Sequence, residues 1–250
     1  RLPNIAVFSH YSGVPRPEGR RSGDIRIVAR PDLGWFWLIP IDQELMSVGV
    51  VLRRSVFDAL PRMPHEEVLA KAIAETPAVA ALLANSRREW PVRVEKDFSY
   101  FAKAYAGDRW LLAGDAGSFL DPVFSTGVAV ALESGLECAR ELDSALADGD
   151  FRAARFATFN RRQGQRYRAF RRFVLAFYTP NFRDLFFQEG PPPRLFSALL
   201  TLLAGRWRPR VWTRLLIDGF FFAVWVQRFV ALVPRIPMTA STEPETAAAE

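Results

Sequence analysis

The first fifty residues alternate short apolar runs with turn signals. Ile5–His10, Ile25–Ala29, Trp35–Ile41 and Met46–Leu52 are rich in β-branched and aromatic residues. Gly13–Gly23, Pro31–Gly34 and the polar Asp42–Glu44 separate them, so the segment predicts four strands in an antiparallel meander. From Pro64 to Leu83 the period changes. Val68, Leu69, Ala72, Ile73, Val79, Leu82 and Leu83 recur at helical spacing, and Pro77 restarts a second helix. Trp90–Tyr105 reads as extended segments returning to a sheet. Trp110–Ala113 is a continuous apolar run that predicts a short buried strand ending at Gly114. After Ser125 the pattern is helical again, with Val128, Leu132, Leu136, Ala139, Leu142 and Leu146 on one stripe and Ala131, Gly135 and Ala139 small enough to admit a neighbour. Phe151–Tyr178 predicts another helix. Pro180, Pro191–Pro193 and Pro209 divide the rest of the chain into three shorter helices, and residues 239–250 read as a disordered tail.

The resulting class is α/β, in the mixed α+β sense. Its parts are an antiparallel sheet with a helical insertion over 1–105, a strand and helix over 106–150, a helical region over 151–238 and the tail. Half of the 250 residues are hydrophobic, enough for a sizeable core. The balance of 33 Lys and Arg against 27 Asp and Glu is basic, and only Lys71, Lys96 and Lys103 are lysines. An arginine excess of this size suits anionic cofactors, acidic carrier partners or a membrane surface; nucleic acid is not expected. One cysteine, Cys138, excludes an intramolecular disulfide framework and a cysteine-rich metal site, and suggests a cytoplasmic protein. The chain opens on Arg1 close to a strand, which reads as a fragment whose frame extends upstream through a Gly-rich strand–turn–helix.

The densest chemistry lies in Arg109–Val128. It runs from an apolar strand through Gly114-Asp115-Ala116-Gly117 and Asp121-Pro122 to a helix opening with Ser125-Thr126-Gly127. An acid at a strand end can accept hydrogen bonds from sugar-like hydroxyls, and small neighbours let the chain approach a ligand closely. A helix N-terminus favours negative charge. A simple turn and a helix cap would explain the two ends of the string, but not the Asp-Pro between them.

In the form Gly-Asp-Ala-x-x-Phe-x-Asp-Pro-Val-Phe-Ser-Thr-Gly-Val, the string resembles the second FAD motif of flavin-dependent monooxygenases and, more closely, the flavin-dependent halogenases. Trp35-Phe36-Trp37-Leu38-Ile39-Pro40 also fits the Trp-x-Trp-x-Ile-Pro pattern of that family. The resemblance covers about Ile5 to Tyr178 and implies the C-terminal part of a two-domain FAD-dependent enzyme. It places Gly114, Asp115, Ala116, Asp121, Pro122, Ser125, Thr126, Gly127 and Val128 at FAD, with halide near the backbone of Thr126 and Gly127. It makes Trp35, Trp37, Ile39 and Pro40 an apolar wall between substrate and flavin; core packing is the alternative for the two tryptophans. The implied reaction is oxygen activation at reduced FAD, giving hypohalous acid that halogenates an electron-rich aromatic, free or carrier-bound. The reducing equivalents would come from a separate flavin reductase or NAD(P)H. Two departures matter. Phe124 stands where tryptophan halogenases carry a glutamate, which points to the phenol or pyrrole branch. The family's catalytic lysine has no match among the three lysines. Two other readings stay open: an ordinary flavin monooxygenase or reductase, and a non-catalytic membrane-surface or carrier-binding module.

The remaining candidates are weaker. His10 and His65 lack partners at metal-ligand spacing, so no metal is expected, and Cys138 reads as core rather than nucleophile. Arg152, Arg155, Arg161, Arg162, Arg166, Arg168, Arg171 and Arg172 alternate with Phe156, Phe159, Tyr167, Phe170 and Phe173. That pattern predicts a solvated basic face and an aromatic core face, with an anionic surface as the alternative. The apolar run within Arg210–Val233 is too short to span a bilayer, and could lie in a membrane interface or pack on the flavin domain.

Overall fold

The computed structural model describes residues 2–188, 190 and 192–237; the tail expected over 239–250 lies outside them. The chain divides into two compact bodies, Pro3–Lys96 and Asp97–Arg235. In the first, β1 (Asn4–Ser12), β2 (Arg26–Ala29), β3 (Trp35–Pro40) and β4 (Leu45–Arg53) occupy the expected runs. They are not a simple meander. β2, β3 and β4 follow one another, but β1 returns to pair with β4 along its whole length, Asn4 opposite Arg53 and Ser12 opposite Leu45. A nine-residue strand can satisfy its ladder only against another long one, and β4 is the other long strand of the sheet. The far edge of β1 takes β5 (Arg87–Arg88) and then β6 (Arg93–Lys96).

One face of this sheet makes the core. Ile5, Val7, Phe36, Leu38, Val48 and Val50 meet Val68, Leu69, Ala72, Val79 and Leu83. The helical contributors come from α2 (His65–Ala74) and α3 (Pro77–Leu83), split at Pro77 as predicted; the short α1 (Arg54–Asp58) was not foreseen. Arg30 is buried at the same helices. It donates to the Asp32 carboxylate, to the Ala72 carbonyl and Thr76 hydroxyl, and to Glu75. The other face carries Trp35 and Trp37, whose ring centroids are 5.9 Å apart. Trp37 Nε1 donates to Ser47 Oγ at 3.0 Å. Its ring lies across Gly49, where an added Cβ would stand 2.2 Å from Trp37 Cζ2, so only glycine fits opposite that indole.

The second body starts with small ladders. β7 (Tyr100–Phe101) pairs with β10 (Ser118–Phe119), and β8 (Ala106–Gly107) pairs with β9 (Trp110–Leu111). The buried strand expected at Trp110–Ala113 is therefore corrected. Its ladder is two residues long, Trp110 is 44% exposed, and among the described residues β9 has no partner other than β8. Likewise the extended stretch at Trp90–Tyr105 keeps only β6 and the two-residue β7. Then come α4 (Gly127–Asp148), α5 (Ala157–Phe177), α6 (Pro180–Phe186), α7 (Pro193–Leu203) and α8 (Val211–Gln227). α5 begins six residues later than its periodicity suggested. The carboxylates of Asp150 and Asp108 hold Arg152 N–H and Ala153 N–H in a turn ahead of it. The last three helices start at or just after the prolines that set their limits.

Candidate functional site

Between β9 and α4 the chain makes two single 3₁₀ turns, Gly114–Ala116 and Pro122–Phe124, joined by β10. Gly114 has φ +54°, and a Cβ there would come within 3.0 Å of Ala131, so the turn lies directly on α4. Ser134, buried in α4, fixes it by accepting from Gly114 N–H at 2.8 Å. Asp115 is left on the surface, its backbone carbonyl accepting from the Tyr100 hydroxyl. Asp121 is turned inward instead. Its carboxylate caps the second turn at Val123 N–H and accepts from the Tyr178 hydroxyl at 2.8 Å.

Ser125 takes the left-handed conformation, φ +53°, uncommon for a residue with a Cβ. It turns the chain into α4, which opens at Thr126 without the side-chain cap expected of a Ser-Thr pair. The first N–H groups of α4 therefore have no side-chain acceptor from Thr126. In front of them is space: a Cβ on Gly127 would meet only Phe119 Cε2, at 3.7 Å. Two hollows flank the segment. One, about 380 Å³ and wide open to solvent, lies between Ala113, Gly114 and Asp115 and the Gly127, Val128 and Ala131 end of α4. The other is narrow, about 40 Å³, and runs from Asp115, Asp121, Thr126 and Gly127 towards α5. Of the expected residues, Gly114, Asp115, Asp121, Thr126, Gly127 and Val128 line these hollows, whereas Ala116, Pro122 and Ser125 line neither. Trp35, Trp37, Ile39 and Pro40 share β3 of the first body.

The α5 side of the second hollow was not anticipated. Gln163, Arg166, Tyr167 and Phe170 line it, with Tyr105 and Phe119. Arg166, 2% exposed, donates from Nη1 to Gln163 Oε1 and from Nη2 to Glu137 Oε1, both at 2.9 Å. Its Nε finds no acceptor among the described residues. The signal was present in the sequence: Gln163 and Arg166 fall in phase with Phe159, Phe170, Phe173 and Phe177, so they occupy core positions of the helix. Burial raises the pKa of the Tyr105 phenol, although Ser118 and Arg168 oppose the shift, and burial likewise raises that of Tyr167. Cys138 Sγ faces the Leu112 carbonyl at 3.8 Å, and burial pushes its thiol up, away from nucleophile chemistry.

Phe124 explains the residue ahead of Ser-Thr-Gly. Its ring stands edge-on to Phe173, Phe177, Phe182 and Phe186, with centroids 5.7–6.5 Å away. This position is spent on aromatic packing, and a carboxylate there would be buried among rings. His10 lies against Trp90, and His65 against Phe57.

The tryptophan halogenase family model matches residues 6–189, and the chain belongs to that family. It is 34% identical over 151 residues to the flavin-dependent halogenase gsfI of Penicillium aethiopicum, an alignment covering 57% of this chain and 28% of that protein. It is 31% identical over 153 residues to the 1H-pyrrole-2-carbonyl-[peptidyl-carrier protein] brominase of Pseudoalteromonas luteoviolacea, covering 61% and 38%. The solved structure of the flavin-dependent brominase Bmp2 superposes with a TM-score of 0.73 at 27% identity, over 88% of this chain and 56% of that one. The chain therefore spans about a third of these curated relatives and about half of the solved structure, and its mixed α/β architecture is part of a halogenase fold.

Proposed function

We propose that the intact protein is a flavin-dependent halogenase acting on an electron-rich phenolic or pyrrolic ring, free or carrier-bound. The observation that carries this is the Gly114–Val128 segment: one acid at the surface, glycines where the backbone must be approached, and a helix end with open space before it. The hollow walled by these residues suits FAD. The Asp115 carboxylate would accept from ribityl hydroxyls, and Gly127 would let the ring edge lie against the backbone. The α4 N-terminus would favour negative charge on the ring, or a halide at Thr126 and Gly127. When bound and reduced, FAD supplies the oxygen activation that converts halide to hypohalous acid.

The chain's own contributions are positional. Ser134 and Asp121 hold the two turns in place. The aromatic walls of Tyr105, Phe119, Tyr167 and Phe170 suit a flat, π-bearing molecule. Phe124 in place of an acid favours substrates other than free tryptophan. Residues 106–150 are read as the edge of an FAD-binding domain, because α4 leaves Val128, Leu132, Leu136, Leu142 and Leu146 exposed, more apolar surface than a helix keeps uncovered. The wall role of Trp35, Trp37, Ile39 and Pro40, and a separate flavin reductase or NAD(P)H as electron source, are part of the same proposal. The test is an assay of the intact protein with reduced flavin, oxygen and chloride or bromide, against phenols and carrier-bound pyrroles. Halogenated product is expected; hydroxylated or saturated product alone would assign a monooxygenase or reductase instead.

A further inference from the structure

We propose that α8, with the arginine-rich turns at its two ends, seats the protein on an anionic membrane surface. One face of α8 is fixed inside the helical body. Phe220 stands edge-on to Phe182, Phe221 to Phe173, and buried Gln227 donates to Asp184. The opposite face holds Val211, Trp212, Leu215, Phe222, Trp225 and Phe229, all exposed, with Trp212 at 79% and Phe222 at 64%. Phe222 stacks on Trp225, and Trp225 meets Phe229, so three outer rings touch one another at the C-terminal end of the helix; Asp218, paired with arginine, falls on the same stripe between Leu215 and Phe222. The seventeen residues of α8 make the helix about 25 Å long, with exposed apolar side chains on this face at both of its ends.

The charge around it selects the occupant. Residues 193–237 hold seven arginines against one acid, Asp218, and that acid is paired with Arg172 and Arg214. Arg206, Arg208 and Arg210 precede the helix, and Arg228 and Arg235 come after it. A second copy docking through the same face would bring these like charges together. A protein partner would find few hydrogen-bonding groups there, the indole N–H groups of Trp212 and Trp225 and an Asp218 already paired with arginine. A lipid surface asks for neither. Its acyl boundary takes the aromatic and aliphatic side chains, its anionic headgroups take the arginines, and tryptophan near each end of the helix suits the interface. No helix among the described residues is long and apolar enough to cross a membrane, so α8 would lie along the surface.

Flotation of the full-length protein with vesicles tests this. Binding is expected to vesicles of phosphatidylcholine mixed with phosphatidylglycerol, weakening with salt, and not to phosphatidylcholine alone. The combined change Arg206→Gln, Arg210→Gln and Arg235→Gln should weaken it roughly a hundredfold. Trp212→Ser with Phe222→Ser and Phe229→Ser should abolish it while circular dichroism and melting stay unchanged, because all three side chains face outward. In the unsubstituted protein, brominated lipids should quench tryptophan fluorescence. The proposal is overturned by absence of flotation with anionic vesicles, or by equal flotation of the substituted proteins. It is also overturned if the serine substitutions instead disperse a dimer or release an acyl-carrier protein.

Discussion

α2 and α4 carry the same signal in sequence, an apolar stripe at helical spacing, and the structure uses them in opposite ways. In α2 the stripe is core: Val68, Leu69 and Ala72 are at most 3% exposed and pack on the sheet. In α4, Val128 and Leu132 are more than 70% exposed, and the buried positions are the small Ser134 and Ala145. Periodicity shows that a helix has an apolar face; what covers that face is a separate question. α4 is held by small-residue contact and by polar groups, Ser134 to Gly114 and Glu137 to Arg166.

The largest expected effect comes from that contrast. Leu69→Ala should destabilise the protein by about 2–5 kcal/mol, since it leaves a cavity in a closed core. Leu132→Ala in this 250-residue chain should cost no more than about 0.5 kcal/mol, as at any exposed site. Urea unfolding followed by circular dichroism measures both, and equal costs would break the comparison. Next is the polar tie. Arg166→Met removes the donors to Glu137 and Gln163 but keeps the volume, and should cost about 1–3 kcal/mol in the same titration. An unchanged midpoint would mean that Arg166 is not what ties α5 to α4, since Gln163 Nε2 still donates to Glu137 at 2.7 Å in that variant. The smallest effect belongs to the Arg30 cluster of the sheet body. Hydrogen bonding from Lys71, and then from Arg30, holds Glu75 below its ordinary 4.5. A carboxylate depressed in the folded state contributes stability above its unfolded pKa and loses it as pH falls through the folded value. Melting of the wild type should therefore fall more steeply than that of Glu75→Gln between about pH 5 and pH 3, by less than about 1 kcal/mol because Glu75 is half exposed. Parallel curves would remove Glu75 from the account.

Local chemistry was readable and topology was less so. Prolines at 180, 193 and 209 marked the last three helices because proline ends or opens helices whatever surrounds it. The Gly114–Val128 string stood out as a candidate site because its glycines, acid and helix opening are adjacent in sequence. The place of β1 beside β4 depends on matched strand lengths across forty residues, which no local pattern states. The brevity of β9 was hidden for the same reason, since an apolar run does not say whether neighbouring strands are at hand. Arg166, Tyr178 and Ser134 were missed because each acts on a residue 20 to 57 positions away. Only the core phase of Gln163 and Arg166 hinted at it. Phe124 was noted only as the residue ahead of Ser-Thr-Gly, because its four ring partners come from α5 and α6, separately predicted helices.

The central claim is that Gly114–Val128 is a flavin cradle and more than a turn before a helix. FAD titration into the intact protein, followed by the flavin spectrum, tests it most directly. Asp115→Ala removes a charged acceptor at the surface, worth roughly 1.5–3 kcal/mol, and should weaken FAD about ten- to a hundredfold while the fold survives. Gly127→Val places bulk in the open space before α4, where the protein itself offers only Phe119 at 3.7 Å, and should disturb the ring's environment without unfolding the chain. Wild-type affinity and an unchanged flavin spectrum in both folded variants would contradict the account.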